Sequence, residues 1–218
     1  MMSGQVKKHP LFARFYVKCA GPAMTQAGID TYRQRLLAGL SGSVLEIGPG
    51  YGANFAFYPP EVTEVTGVEP EPQLRALAEA SAAKSTIPIT VKTVAAEELP
   101  FLDDTFDAAV ACLVLCSVAD PAASLAEIRR VLKPGAPLRF FEHIRAPSPG
   151  MRRVQKVLDA TLWPPLMGGC HTGRDTVSAL TAAGFTVAEL ETFAFPKSAI
   201  PTPANHCALG TAIASPAV

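Results

Sequence analysis

Residues 44–52 read Val44-Leu45-Glu46-Ile47-Gly48-Pro49-Gly50-Tyr51-Gly52, an apolar run that breaks into three glycines at alternate positions. The run has the composition of a buried strand. The glycines that stop it allow backbone angles that a Cβ forbids, and let main chain lie close to a bound molecule. An ordinary tight turn is the plainer reading of the same residues, and the flanking pattern decides between the two.

Outward from this stretch, strands and helices alternate. Strands are predicted at 43–47, 65–69, 87–94, 106–113 and 137–144. A helix over 71–84 carries Leu74, Leu77, Ala78 and Ser81 at helical spacing, with Pro72 in its first turn. Asp120 is placed to cap a second helix that turns Leu125, Ile128 and Leu132 inward and stops at Lys133-Pro134-Gly135. Further on, a helix over 151–163 has Val154, Val157, Leu158 and Leu162 on one stripe and ends at Pro164-Pro165. A helix over 174–183 closes on Gly184, and strands at 185–192 and 205–213 follow, the last as a reversed edge strand. The expected fold is α/β: a Rossmann-like, doubly wound sheet of seven strands, mostly parallel with an antiparallel edge strand. Residues 1–42, with Leu11, Phe12, Phe15, Tyr16 and Val17 and then Ile29, Tyr32, Leu36 and Leu40, form an N-terminal helical cap on a main domain at 43–218. That cap either covers a sheet edge or acts as a lid over a ligand. The tail from Ser215 is expected to be loose.

Composition narrows the function. At 218 residues and 49% hydrophobic the chain supports one full core and is not a disordered segment. Lys+Arg and Asp+Glu both number 19, so no global field draws it to nucleic acid or an anionic membrane. Its most apolar run, 108–118, is too short to span a bilayer. Five cysteines (Cys19, Cys112, Cys116, Cys170, Cys207) without a CxxC pair, and an N-terminus broken by Lys7, Lys8, His9, Arg14 and Lys18, point to a reduced, cytoplasmic protein.

An open parallel sheet binds ligands at the carboxyl ends of its strands, where this glycine loop sits. Gly48, Gly50 and Ala53 fit the spacing of a dinucleotide loop, but that loop delivers a pyrophosphate to a helix N-terminus, and Glu46 would repel it. S-adenosylmethionine has no phosphate and carries a sulfonium and an ammonium, which an acid favours. Glu69, ending the second strand, is placed to accept the ribose hydroxyls that both ligands share. The stretch 95–100 reads as the edge of an adenine pocket, and 112–118 as the floor between cofactor and acceptor.

With these stretches in view, the chain resembles the class I S-adenosylmethionine-dependent methyltransferases. Within them it looks most like the methyltransferase-like thiol S-methyltransferases, which methylate small alkyl thiols or hydrogen sulfide. LEIGPGYGANFAFYPP (45–60), VTGVEPEP (65–72), the segment 112–118, EIRRVLKPG (127–135), FFEH (140–143) and GGCHTGRDT (168–176) carry the likeness. The resemblance implies cofactor contacts from Glu46, Gly48, Pro49, Gly50, Gly52 and Asn54, ribose binding at Glu69 with Pro70 beside it, and adenine-side contacts from Ala96 and Glu97, with Cys112 and Leu113 below. Ala95 stands where many relatives have an acid that reads the adenine amino group, so recognition there falls to backbone or Glu97. Eukaryotic members of the thiol subgroup carry an N-terminal membrane anchor; residues 1–24 hold no such span, and membrane attachment is not expected.

Methyl transfer from a sulfonium asks mainly for alignment and desolvation, and a thiol acceptor asks in addition for a thiolate. His143, His171 and Arg174 are the catalytic candidates: either histidine to take or stabilise the thiol proton, Arg174 to lower a thiol's pKa or bind an anionic group. Two have a structural alternative, Glu142-His143 as a pair closing the strand and Arg174 as a cap on a carboxyl group. Cys112, Cys116, His143, Cys170 and His171 do not match a zinc spacing, so no metal is expected. The expected activity is methyl transfer to a small, fairly apolar acceptor, a thiol first. The alternatives are an O-, N- or C-methyltransferase of secondary metabolism or of quinone or lipid synthesis, a cofactor-binding protein without catalysis, or an NAD-dependent oxidoreductase.

Overall fold

The computed structural model describes residues 9–197 and 202–215. Seven strands form one sheet: β1 Gly42–Ile47, β2 Val62–Val68, β3 Ile89–Lys92, β4 Ala108–Cys112, β5 Pro137–His143, β6 Phe185–Ala194 and β7 His206–Ala214. Their order is β3-β2-β1-β4-β5-β7-β6, parallel through β5, with β7 antiparallel to both its neighbours. Around the sheet lie α1 Pro10–Phe15, α2 Gly21–Gln26, α3 Ile29–Leu37, α4 Pro72–Ala82, α5 Pro121–Val131, α6 Pro149–Asp159, α7 Trp163–Leu166 and α8 Thr176–Ala182.

Alternating side chains on the central strands feed two cores, as a period of two requires. Leu45, Ile47, Ala109, Ala111, Leu138 and Phe140 face Leu125, Ile128 and Leu180 of α5 and α8. Val44, Ala108, Val110 and Phe141 face Ile29, Leu36 and Leu37 of α3 and Ala78 of α4. Both faces are covered, which is why β1, β4 and β5 read as continuous apolar runs rather than alternating ones. Glu46 shares a face with Val44, so strand geometry alone carries its carboxylate into the second core. Strand order reverses between β1 and β4, and the loops leaving these two strands face each other across that switch point.

The predicted elements hold, with differences at their limits. β2 starts at Val62 and β3 covers only Ile89–Lys92. The Asp120 carboxylate caps α5 by accepting from the N–H groups of Ala122 and Ala123. β7 lies one place in from the edge, and β6 is outermost. The physical reason is burial: Cys207 to Ala212 are buried throughout, whereas β6 is exposed over 188–192. Pro164 and Pro165 do not close a helix but open α7, because proline is preorganised for a first turn. The stripe on α6 faces outward: Val154, Val157 and Leu162 are exposed, and the residue α6 buries is Gln155. Its carboxamide accepts from Ala146 N–H and donates to the carbonyls of Ile144, Thr172 and Pro203, so polar anchorage sets this helix's rotation. Ahead of α3, a π-helical turn, Tyr16–Ala20, joins α1 to α2. The first eight residues of the predicted cap, and the tail beyond Ser215, lie outside the described residues. No helix among the described residues is long and apolar enough to cross a membrane.

Candidate active site

The glycine loop leaves β1 with φ of 57° at Gly48, 62° at Gly50 and 81° at Gly52, all in the left-handed region. The three have different neighbours. A Cβ on Gly48 would collide with Val114, and one on Gly52 with Phe55 and Ser81. A Cβ on Gly50 would meet only the Tyr16 ring, at 3.4 Å, so this glycine presents its backbone to the cleft. Behind the loop, the buried Glu46 carboxylate accepts from Asn54 Nδ2 at 2.7 Å and from the Tyr58 hydroxyl at 2.8 Å. Burial pushes its pKa up to about 7 against those bonds and the nearby Arg33 charge. At the end of β2, Glu69 accepts from Gly50 N–H at 3.0 Å and Glu71 N–H at 2.9 Å; burial raises it likewise to about 7. Pro70 follows it, and the Glu71 side chain accepts from the His9 N–H. Asn54 Oδ1 is buried with no hydrogen-bond partner among the described residues.

The N-terminal segment closes over this loop. Tyr16, on the π-helical turn, packs against Tyr51 at 5.4 Å and stacks on Phe12 at 5.6 Å, centroid to centroid. Its hydroxyl is held above the ordinary tyrosine range by burial first and by Tyr51 next. In the sequence Tyr16 reads only as an apolar helix position, since nothing local marks a π turn. No sequence signal marks Arg33, a buried guanidinium paired with Asp30 at 2.6 Å, its Nε without a partner among the described residues. On the far side, Ala96 is buried, and Glu97 accepts from the N–H groups of Ala119 and Asp120 ahead of α5. Cys112 ends β4, its thiol pushed up to about 12 by burial. Leu113 follows with φ of 56°, a strained conformation for a leucine, pinned by its N–H to Phe141 O at 2.6 Å.

The other three sequence candidates sit at the ends of β4 and β5. Fully buried Glu142 accepts from three successive N–H groups, those of Val114, Leu115 and Cys116, and so shapes the loop after β4. Arg174 donates to the carbonyls of Leu115 at 2.6 Å and Val118 at 2.7 Å. His171 Nδ1 lies 2.8 Å from Gly169 O and 3.3 Å from Arg174, and the His171 N–H donates to Cys116 O. Gly169, at φ of 86°, lets this strap lie flat; a Cβ there would stand 2.9 Å from Ser117 O. His171 and Arg174 are thus committed to holding one loop on another. His143 is not: its Nδ1 is 3.7 Å from Cys116 Sγ and 3.6 Å from Cys170 Sγ, with the sulfurs 3.7 Å apart. Cys170 is held below its ordinary range by its bond with Cys116, against burial, with further help from the Trp163 indole. Of the five Cys and His residues weighed from the sequence, the fold gathers these three; Cys112 and His171 stand outside the group.

A family model described as a methyltransferase domain matches residues 45–140. The chain is 39% identical to the thiol S-methyltransferase TMT1B of Rattus norvegicus over 161 residues, 71% of this chain and 65% of that protein. It is 38% identical to the human thiol S-methyltransferase TMT1A over 167 residues, 74% of this chain and 68% of that protein. The chain therefore spans about two thirds of the length of these curated relatives, 65% for the rat protein. Among solved structures, the N-methyltransferase NodS of Bradyrhizobium japonicum, in complex with S-adenosyl-L-homocysteine, superimposes with a TM-score of 0.70 at 18% identity, covering 96% of this chain and 98% of that one. The [4+2]-cyclase SpnF superimposes with 0.66 at 21% identity, covering 88% and 81%, so the fold by itself names no reaction.

Proposed function

We propose a function on one premise: the chain belongs to the methyltransferase family that includes the thiol S-methyltransferases. It transfers the methyl group of S-adenosylmethionine to a small, fairly apolar acceptor, and the acceptor atom is a thiol sulfur. The carrying observation is the pair of buried carboxylates, Glu46 and Glu69, on either side of a glycine loop. Among the described residues, neither is bonded to a cationic side chain. Two raised carboxyl groups and the unpartnered Asn54 Oδ1 suit a cationic, donor-rich ligand and oppose a pyrophosphate.

Main chain at Gly48, Pro49, Gly50 and Gly52 would line the cofactor, Glu69 would accept its ribose hydroxyls, and Ala96 with Glu97 would border its adenine. Glu46 and Asn54 supply negative potential beneath. The bound cofactor supplies a methyl group on a sulfonium, already activated for transfer. Tyr16, Tyr51 and Phe12 exclude water from above, which strengthens every charge interaction in the cleft. His143 favours the acceptor as thiolate, while His171 and Arg174 act by positioning the floor at 114–118. The even charge balance and the free cysteines support a cytoplasmic enzyme of small molecules that does not engage nucleic acid.

Incubation with isotopically labelled cofactor and a panel of thiols, phenols and amines tests the reading. Labelled thioether is expected. Product from phenols or amines with none from thiols overturns the acceptor and leaves an O- or N-methyltransferase.

A further inference from the structure

Cys116, His143 and Cys170 stand 27 positions apart in each step along the chain, and nothing in that spacing resembles a metal motif. The fold nevertheless sets them as a triangle with edges of 3.7 Å between sulfurs and 3.6 and 3.7 Å from nitrogen to sulfur. Tetrahedral zinc, with Zn–S about 2.3 Å and Zn–N about 2.0–2.1 Å, requires edges of about 3.8 Å between sulfurs and about 3.5–3.6 Å between nitrogen and sulfur. The triangle matches one face of that tetrahedron without rearrangement.

We infer that Cys116, His143 and Cys170 form a three-ligand site for a divalent ion of the zinc class, with the fourth coordination position open. Three protein ligands and a vacancy are the pattern of reactive zinc sites, whereas structural sites close all four positions. Two thiolates and a neutral imidazole balance the charge of a divalent ion, so the buried set carries no net charge to desolvate. The surroundings are those of a held site. Glu142 fixes the Cys116 backbone through three N–H groups. The strap bearing Cys170 is tied by the His171 N–H to Cys116 O, by Arg174 to Leu115 O and Val118 O, and by Asp159 to the N–H groups of Thr172 and Gly173. The Trp163 indole nitrogen is buried beside Cys170 with no hydrogen-bond partner of ordinary geometry, a donor left to face thiolate sulfur. Orienting contacts of this kind are what metal ligands need around them.

Binding releases two protons to solvent, one from each thiol. On the proposed thiol-methylating function, the open position takes the acceptor: its S–H proton leaves to solvent and its sulfur stays on the ion as thiolate. This clause rests on that function; the metal site does not.

Reduced protein, stripped by chelator and titrated with cobalt(II), is the direct test. The expected result is one equivalent bound, with the intense visible absorption of tetrahedral cobalt and a sulfur-to-cobalt charge-transfer band, both lost on adding zinc. Cys170→Ser should weaken binding by more than about 100-fold, since contacts merely supporting a ligand are worth about 10–100-fold; Cys19→Ser, at an exposed cysteine outside the triangle, should change nothing. Absence of the charge-transfer band in the unmutated protein, or an octahedral spectrum, overturns the site whatever the variants do. A cobalt band without methylation of any thiol upholds the site and removes the thiol reading. Undiminished thioether formation by fully stripped protein keeps that reading and overturns the role given to the open position.

Discussion

The guanidinium of Arg174 donates to the carbonyl oxygen of Leu115 at 2.6 Å, joining two loops 59 positions apart. A second bond to Val118 makes it a fork on the main chain of the acceptor floor. Lysine can reproduce the charge but not the fork. Arg174→Lys should cost about 1–3 kcal/mol of stability by leaving a carbonyl unpaired, read as a lower urea midpoint. Affinity for S-adenosylhomocysteine should be unchanged, because no cofactor residue touches this fork.

Glu69→Ala should weaken S-adenosylhomocysteine binding by about 1–3 kcal/mol, the worth of charged hydrogen bonds. Calorimetric titration measures this directly. Unchanged affinity would remove Glu69 from the ribose site, and tight binding of NAD would revive the dinucleotide alternative.

Glu46 and Glu69 set a dependence on pH whose sign is unusual for carboxylates. Burial raises both from 4.5 to about 7, so between these values the folded state holds protons that the unfolded state has released. Stability contributed by these groups is complete below about 4.5 and is lost as pH rises through about 7. Urea unfolding of the ligand-free protein should therefore give a higher midpoint at pH 5.5 than at pH 8, and Glu46→Gln should shrink that difference. Affinity for the cationic cofactor should run the opposite way, increasing with pH across the same interval.

Gly169→Ala places a Cβ 2.9 Å from Ser117 O at a φ of 86°. Left-handed strain costs about 1–2 kcal/mol on its own, and the collision lifts the strap bearing Cys170. The expected outcome is a modest fall in unfolding midpoint with a much larger fall in methyl transfer to thiols, compared by parallel melting and product assays.

Gln155→Leu keeps the volume of α6's buried side chain and removes its bonds to Ala146, Ile144, Thr172 and Pro203. Each orphaned backbone group costs about 1–3 kcal/mol, so this single substitution should destabilise more than any change to the exposed Val154 or Val157. Thermal unfolding of the three variants side by side checks the ranking.

Most of the sheet was legible because its signals are local. Glu46 to Gly52 carries strand, acid and turn within a few residues, and Asp120 announces α5 by capping chemistry alone. Residues whose meaning is tertiary were not legible. Val154 and Val157 look like a core stripe, yet the orientation of α6 is decided by Gln155 and four backbone groups that lie near it only after folding. Tyr16 gains its place from a π turn with no sequence mark. Arg174 looked like chemistry because it is charged and lies beside a glycine-rich loop; its partners are carbonyl groups, which sequence does not display. The cluster at Cys116, His143 and Cys170 comes from two loops and the end of β5, so no spacing rule could assemble it.

The insertion of β7 between β5 and β6 has a consequence for synthesis. β5 ends at His143, but its second hydrogen-bonded neighbour is supplied only by residues 206–214. A chain emerging from the ribosome can pair β1 to β5 and complete the cofactor half early. Until the final strand arrives, the acceptor half carries an open, aromatic edge at Phe140 and Phe141. Nascent chains stalled before residue 206 should thus be the ones that chaperones retain.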